Sequence, residues 1–82
     1  MVERGGRTLH VQTEDLGSGR LLVQTLVFQD GRVVFSKENG YADLGVTGAS
    51  HEEVAEKVRW QHRGILSGIR AGKIDRQLEE KA

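Results

Sequence analysis

LLVQTLVFQDGRVVFSK, at residues 21–37, has the pattern of a β-hairpin. The pair Asp30-Gly31 stands between two segments rich in Val, Leu and Phe. Val and Phe favour strands. A two-residue type I′ turn needs positive φ at both central positions, and Asp followed by Gly accepts this more readily than most pairs. We therefore predict antiparallel strands on either side of the turn, over residues 21–29 and 32–37.

The register of this hairpin determines which side chains share a face of the sheet. With the Asp-Gly pair in the turn, an unbroken register pairs Val27 with Val34 and Leu26 with Phe35. Since successive side chains of a strand point to opposite faces, each face then carries a set of its own. One set is Leu22, Leu26, Phe28, Val33 and Phe35, and the other is Leu21, Val23, Thr25, Val27 and Val34. Both sets are largely apolar.

A further strand is predicted upstream of the hairpin. Between Arg7 and Glu14 a Leu, a Val and a Thr alternate with more polar residues, as in a strand with one buried face. Residues 15–20 contain two glycines and form the connecting turn. Residues 1–6 show no strand pattern, and we expect them to be flexible.

A long helix is predicted after a Gly-rich crossover at residues 38–49. Ser50 followed by Glu53 fits a capping box, and Gly72 supplies a C-terminal stop. Residues 75–82 are expected to be a flexible, charged tail or a frayed helix. The core-facing stripe of this helix consists of Val54, Ala55, Val58, His62, Ile65, Leu66 and Ile69.

Together these elements predict an α+β fold in a single domain, residues 1–82. It is a three-stranded antiparallel β-meander with one long C-terminal α-helix packed on one face. One helix can cover only one of the two apolar sheet faces. We expect the uncovered face to present Val23, Val27 and Val34 and to bind another protein or a second copy of the chain. The alternative is that the loop at 38–49, or the N-terminal arm, folds over this face.

The back of the predicted helix is a second candidate surface. Trp60, Gly64 and Gly68 recur at helical spacing, and each interior glycine costs roughly 1 kcal/mol relative to alanine. Close approach of another chain, with Trp60 as an anchor, explains the glycines; a Trp ring lying over Gly64 explains them equally well. Beside them, Arg59 and Arg63 suit either an acidic partner or an ordinary solvated face.

The composition limits the classes of function to consider. Twelve basic and twelve acidic residues give a formal net charge of zero, which argues against nucleic acid as the main partner. A local patch of Arg59, Arg63 and Arg70 keeps nucleic-acid binding as an alternative. There is no cysteine, and no apolar run approaches the roughly 18 residues of a membrane span. We expect a cytoplasmic protein with neither a membrane segment nor a secretion signal.

No pattern in the sequence predicts catalysis, a metal or a cofactor. His51 lacks the second histidine of a helical zinc motif, because position 55 is an alanine. The glycines that precede the helix lack the lysine that grips phosphate in a phosphate-binding loop. Since no nucleophile motif is present either, we predict that the protein is not an enzyme.

Four segments carry a resemblance to a known family. They are HVQTED at 10–15, GRVVFSK at 31–37, Tyr41, and the pair Gln61-His62. In these segments the chain resembles short bacterial proteins of the RomX type, regulators of cell polarity that bind the small Ras-like GTPase MglA together with a response-regulator protein and promote nucleotide exchange. The resemblance implies a non-enzymatic adaptor whose binding surface includes Thr13, Glu14, Asp15, Gln61 and His62.

The leading hypothesis is therefore a small protein–protein interaction adaptor that regulates a Ras-like GTPase in bacterial polarity or motility. A self-assembling structural homodimer is one alternative. A nucleic-acid-binding module that uses the helix arginines is another.

Overall fold

Over its described residues, the protein is an antiparallel sheet with two helices packed on one of its faces. The computed structural model describes residues 1–17, 20–46 and 50–81. The sheet has four strands in the order β1-β2-β3-β4, so each strand pairs with its neighbours in sequence. The elements are β1 Val2–Arg4, β2 Arg7–Asp15, β3 Leu22–Gln29, β4 Arg32–Gly40, α1 His51–Arg70 and α2 Asp75–Lys81. The α+β class, the antiparallel meander and the long C-terminal helix are as predicted.

The first strand corrects the prediction of three strands and of a flexible start at residues 1–6. Val2 pairs with Leu9, and its side chain is buried in the core. Gly5 and Gly6 form the intervening turn with φ of 59° and 80°, values that glycine adopts without strain. A three-residue strand is too short to show periodicity, so the sequence pattern did not reveal it.

The Asp30-Gly31 hairpin is confirmed, and both residues have positive φ, of 52° and 77°. Its register differs from the predicted one because β4 contains a β-bulge. Phe28 pairs with Val33 as expected, but Val27 pairs with Phe35 rather than with Val34. The extra residue moves Phe35 to the face of Val27, where it packs against the core.

The long helix begins and ends where its capping residues predict. The Ser50 side chain accepts a hydrogen bond from the Glu53 N–H at 3.2 Å. At the other end Gly72 has φ of 79°, and its N–H donates to Ile69 O at 3.1 Å while Lys73 N–H donates to Gly68 O at 2.9 Å. These two bonds form a Schellman motif, which stops the helix and turns the chain towards α2.

The C-terminal segment is part of the core rather than the flexible tail predicted for residues 75–82. Leu78 of α2 is 0 % exposed. Arg4 of β1 donates two hydrogen bonds to Asp75, from Nε at 3.0 Å and from Nη2 at 2.8 Å. Residue 82 lies outside the described residues. The main buried cluster joins both ends of the chain and comprises Val2, Leu9, Val27, Val34, Ile69, Ile74 and Leu78.

The structure exchanges the two predicted sheet faces. Val23, Val27 and Val34, expected on the uncovered face, are buried in the interior. The face opposite the helices instead carries Leu22, Leu26, Phe28 and Val33; this set is called the outer face below. The crossover predicted at 38–49 includes residues 47–49, and the turn predicted at 15–20 includes 18 and 19; these five residues lie outside the described part. No helix in that part is long and apolar enough to span a membrane.

Candidate interaction surfaces

The outer face carries apolar side chains on β3, interrupted by Gln24, which donates to Glu38 at 2.8 Å, and it has polar neighbours on both sides. Leu22, Leu26 and Phe28 are half-buried, and Val33 of β4 is 46 % exposed. The ring of His10 lies 6.4 Å from that of Phe28. The rest of the rim is exposed and hydrophilic: Thr8, Gln12 and Glu14 on β2, and Ser36 and Glu38 on β4. Within the described residues both helices contribute to the buried cluster on the opposite side, so this row is not covered by them.

Under α1, a buried glutamine connects the helix to the sheet. Gln61 is 3 % exposed. Its Nε2 donates to Thr25 Oγ1 at 3.0 Å and to Val23 O at 3.2 Å, while its Oε1 accepts from Asn39 Nδ2 at 2.9 Å. Gln61 therefore satisfies polar groups of β3 and β4 inside the core. Its predicted role in contacting a partner is corrected, because a buried side chain is not available to one.

The neighbouring histidine extends this contact to β2. His62 Nδ1 lies 2.8 Å from Thr13 Oγ1, and Thr13 Oγ1 lies 2.8 Å from Thr25 Oγ1. Thr13, Gln61 and His62 are thus brought together by contacts within the chain. We call these residues, with Thr25 and Asn39, the helix–sheet network.

Asp15 and Glu14 have different environments. Asp15 accepts hydrogen bonds from the Tyr41 hydroxyl and from the Gly17 N–H, so it connects the end of β2 to the turn after β4. The hydrogen bond to Asp15, reinforced by desolvation and by the carboxylate's charge, raises the pKa of Tyr41. Glu14 is exposed beside the outer face, where it accepts from Gln12 Nε2 at 3.2 Å. Of the two carboxylates, that of Glu14 is the one that lies beside the outer face.

The back of α1 borders a small cleft next to β4. Trp60 is 64 % exposed, and a Cβ on the exposed Gly64 would meet no atom within 4 Å beyond the backbone of its own helix. Gly68 lies farther along, against the side chain of Lys73. The cleft has a volume of about 180 Å³. Trp60 and Gly64 line it, and Gly68 does not. Its lining residues are Lys37, Asn39, Trp60, Gln61, Gly64 and Ile65.

A larger cleft lies on the other side of α1. Its volume is about 290 Å³, and its lining residues are Asp15, His51, Val54, Ala55, Val58 and Arg59. Arg59, Arg63 and Arg70 are all exposed along the helix, but only Arg59 lines this cleft. The cleft could not be predicted from the sequence, because its walls come from a strand and a helix that are far apart in the chain.

No group of three His, Asp or Glu side chains in the described residues is arranged to hold a metal ion. No protein-family model matches the chain, and no curated protein or solved structure is significantly similar to it. Its function must therefore be inferred from its own surfaces.

Proposed function

We propose that this chain is a non-enzymatic, cytoplasmic protein-interaction module that binds another protein through the outer face of its sheet. The observation that carries the proposal is the apolar row of Leu22, Leu26, Phe28 and Val33, which the described helices leave uncovered. The open face of an antiparallel sheet normally carries polar side chains. Here the outward positions of β2 are polar and those of β3 are mostly large and apolar.

The arrangement of this face resembles the cross-section of a protein interface. An apolar centre with a polar, solvent-exposed rim is typical of surfaces that bind other proteins. Burying apolar surface is worth roughly 25 cal/mol per Å², so covering Leu26 and Phe28 would stabilise a complex. His10 adds an aromatic edge beside Phe28.

As the specific partner we propose a small Ras-like GTPase, on the basis of the resemblance to RomX-type regulators. The test is whether the purified chain accelerates release of a fluorescent guanine nucleotide from MglA, with and without the response-regulator protein. Acceleration that Leu26→Asp abolishes would support both the partner and the surface. An unchanged release rate would contradict this GTPase as the partner. It would not contradict protein binding through the outer face, which the next experiment tests.

The general proposal is tested by site-specific photo-crosslinking in cells that naturally make the protein. Phe28 is replaced by a photoreactive phenylalanine analogue, which keeps the aromatic ring at the centre of the outer face. The matched control places the same analogue at Glu79, an exposed position on α2. We expect a discrete protein adduct from position 28 that Leu26→Asp and, independently, Val33→Asp remove.

Two results would count against binding of another protein at this face. No adduct at position 28 beyond that at position 79 would overturn the proposal. An adduct with the mass of two copies of the chain would replace it with the homodimer alternative. Because Val33 is the more exposed of the two substituted residues, Val33→Asp keeps the test valid if Leu26→Asp fails to fold.

A further inference from the structure

One edge of the sheet is open along most of β2. β1 pairs only with residues Arg7–Leu9 of this nine-residue strand. Within residues 1–17, 20–46 and 50–81, no strand pairs with that edge farther along. The open part begins after Leu9 and extends to Asp15.

The direction of the backbone groups along this edge follows from the two turns that flank β2. A two-residue hairpin turn places a hydrogen-bonded pair beside it, here Arg4 with Arg7, so the odd-numbered residues of β2 direct their N–H and C=O groups towards β1. Consistently, the even-numbered Leu16 donates its N–H to Leu22 O of β3 at 2.8 Å. Beyond Leu9, the odd-numbered residues Val11, Thr13 and Asp15 therefore present backbone donors and acceptors at the open edge.

The larger cleft lies beside the same edge. Among the described residues, its only lining residue from the sheet is Asp15 of β2, and none comes from β3 or β4. The smaller cleft is lined by Lys37 and Asn39 of β4 and so lies on the other side of α1. An open strand edge next to an apolar cleft under a helix is the arrangement that binds an extended peptide by strand addition.

The chemistry of the cleft indicates which side chains such a peptide carries. Its floor is apolar, from Val54, Ala55 and Val58 of α1. Arg59 lines it and has no ion pair within the described residues, and none of the helix glutamates lines it. The carboxylate of Asp15 already accepts two hydrogen bonds within the chain. An apolar side chain with a carboxylate nearby is the complement of this surface.

We propose that an extended, acidic segment of a partner protein adds to the β2 edge along Val11–Asp15, places an apolar side chain in the cleft and pairs a carboxylate with Arg59. β1 limits the added strand to about five residues, or roughly 17 Å. The inference rests on the proposed protein-binding function but uses a surface separate from the outer face.

The test starts from a phage-displayed library of random linear peptides selected on the purified chain. Enriched sequences are expected to combine an apolar residue with an acidic one at nearby positions. A synthetic peptide of the enriched sequence is then added, and amide hydrogen exchange is followed by NMR. Exchange at Val11, Thr13 and Asp15 is expected to slow by at least about tenfold, as for a newly formed hydrogen bond, with no change at Gln12 and Glu14.

Substitutions then test the cleft. Ala55→Phe fills it, and Arg59→Glu reverses its charge; each is expected to weaken peptide binding by about tenfold or more. The matched control is Arg32→Glu at the exposed start of β4, which should leave the affinity unchanged. Circular dichroism identifies a variant that fails to fold. In that case the peptide affinity of the other cleft variant tests the inference.

Three outcomes would overturn the inference. They are the enrichment of no peptide, binding without protection of the three odd-numbered amides, and affinity that neither cleft variant lowers. A peptide that instead shifts the methyl signals of Leu26 would contradict this inference while supporting the proposed outer-face function. The two proposals can therefore fail separately.

Discussion

Thr13 Oγ1 on β2 and His62 Nδ1 on α1 lie 2.8 Å apart, and the same hydroxyl lies 2.8 Å from Thr25 Oγ1 on β3. The adjacent helix residue, Gln61, contacts Thr25 and Asn39. Two consecutive residues of α1 are thus held by three different strands. Because the bonds point in different directions, the helix–sheet network fixes the rotation of α1 as well as its position on the sheet.

The first prediction concerns the hydroxyl shared by this network. Thr13→Val keeps the branched shape of the side chain but leaves His62 and Thr25 without that partner. We expect the free energy of unfolding to fall by about 1–2 kcal/mol, the usual cost of an unpaired group in a partly buried site. Urea denaturation measures this. The matched control is Thr8→Val on the exposed side of the same strand, with an expected change within about 0.5 kcal/mol. Equal effects of both variants would contradict a structural role for the Thr13 hydroxyl.

The second prediction concerns Gln61. Gln61→Leu retains the approximate volume but removes the hydrogen bonds to Thr25, Asn39 and Val23 O, and we expect a loss of about 2–3 kcal/mol. Adding Thr25→Val replaces a hydroxyl that has lost its hydrogen bond from Gln61 with an apolar group. The double variant should therefore be more stable than the sum of the single changes predicts, by about 0.5 kcal/mol or more. Additive losses in urea denaturation would show that the two side chains are not coupled.

The parts of the fold that local chemistry specifies could be predicted from the sequence. Asp30-Gly31 supports its turn, and Ser50 caps its helix, because each depends on neighbours within a few residues. The β-bulge could not be predicted. Val33, Val34 and Phe35 are three consecutive apolar residues, so alternation does not show which of them is the extra one. That one residue changed the assignment of Phe35 and the pairing of Val27.

The candidate site was predicted less well for a related reason. The two sheet faces are similarly apolar, and the sequence does not determine which one the helices cover. The burial of Gln61 depends on hydrogen-bond partners 22 to 38 residues away in the chain. A polar residue in a helix normally predicts a side chain exposed to solvent. The hydrogen bond between Tyr41 and Asp15 likewise joins residues that are far apart in the chain. The sequence did indicate correctly that the sheet is antiparallel and that a long helix follows it.

The third prediction is an acid dependence of stability that comes from Asp75. The hydrogen bonds from Arg4, together with its charge, lower the pKa of Asp75, although partial desolvation opposes them. A carboxylate with a depressed pKa stabilises the folded state above its ordinary pKa, about 4, and this contribution is lost as the pH falls through the folded-state value. Asp75→Asn should therefore flatten the acid side of the stability curve measured by urea denaturation. Asp43→Asn, at an exposed turn position, is the control and should leave the curve's shape unchanged. An unaltered acid slope in Asp75→Asn would contradict the assignment.

The fourth prediction is an elevated pKa for Tyr41, read from tyrosinate absorbance during an alkaline titration. Tyr41 is the only tyrosine in the chain, so the signal reports this residue alone. Its hydroxyl donates to Asp15, which favours the neutral phenol and raises its pKa above the ordinary value of about 10. The stabilisation is present below that ordinary value and is lost as the pH rises through the folded-state pKa. Asp15→Asn should lower the pKa of Tyr41 towards the ordinary value for tyrosine. Coincident curves for the two proteins would show that the Asp15 contact does not control the phenol.

The fifth prediction compares one chemical change at two glycines. Gly72 has φ of 79°, and a Cβ there would lie 2.5 Å from Arg4 Nη2, so Gly72→Ala should destabilise the protein by about 1–2 kcal/mol from the backbone alone, with a further loss from displacing Arg4. Gly64 lies inside α1 with open space around it, so Gly64→Ala should stabilise the protein by roughly 1 kcal/mol. Urea denaturation of both variants tests the opposite signs, and shifts in the same direction would contradict this account. If Gly64→Ala does stabilise the fold, stability does not explain the glycine.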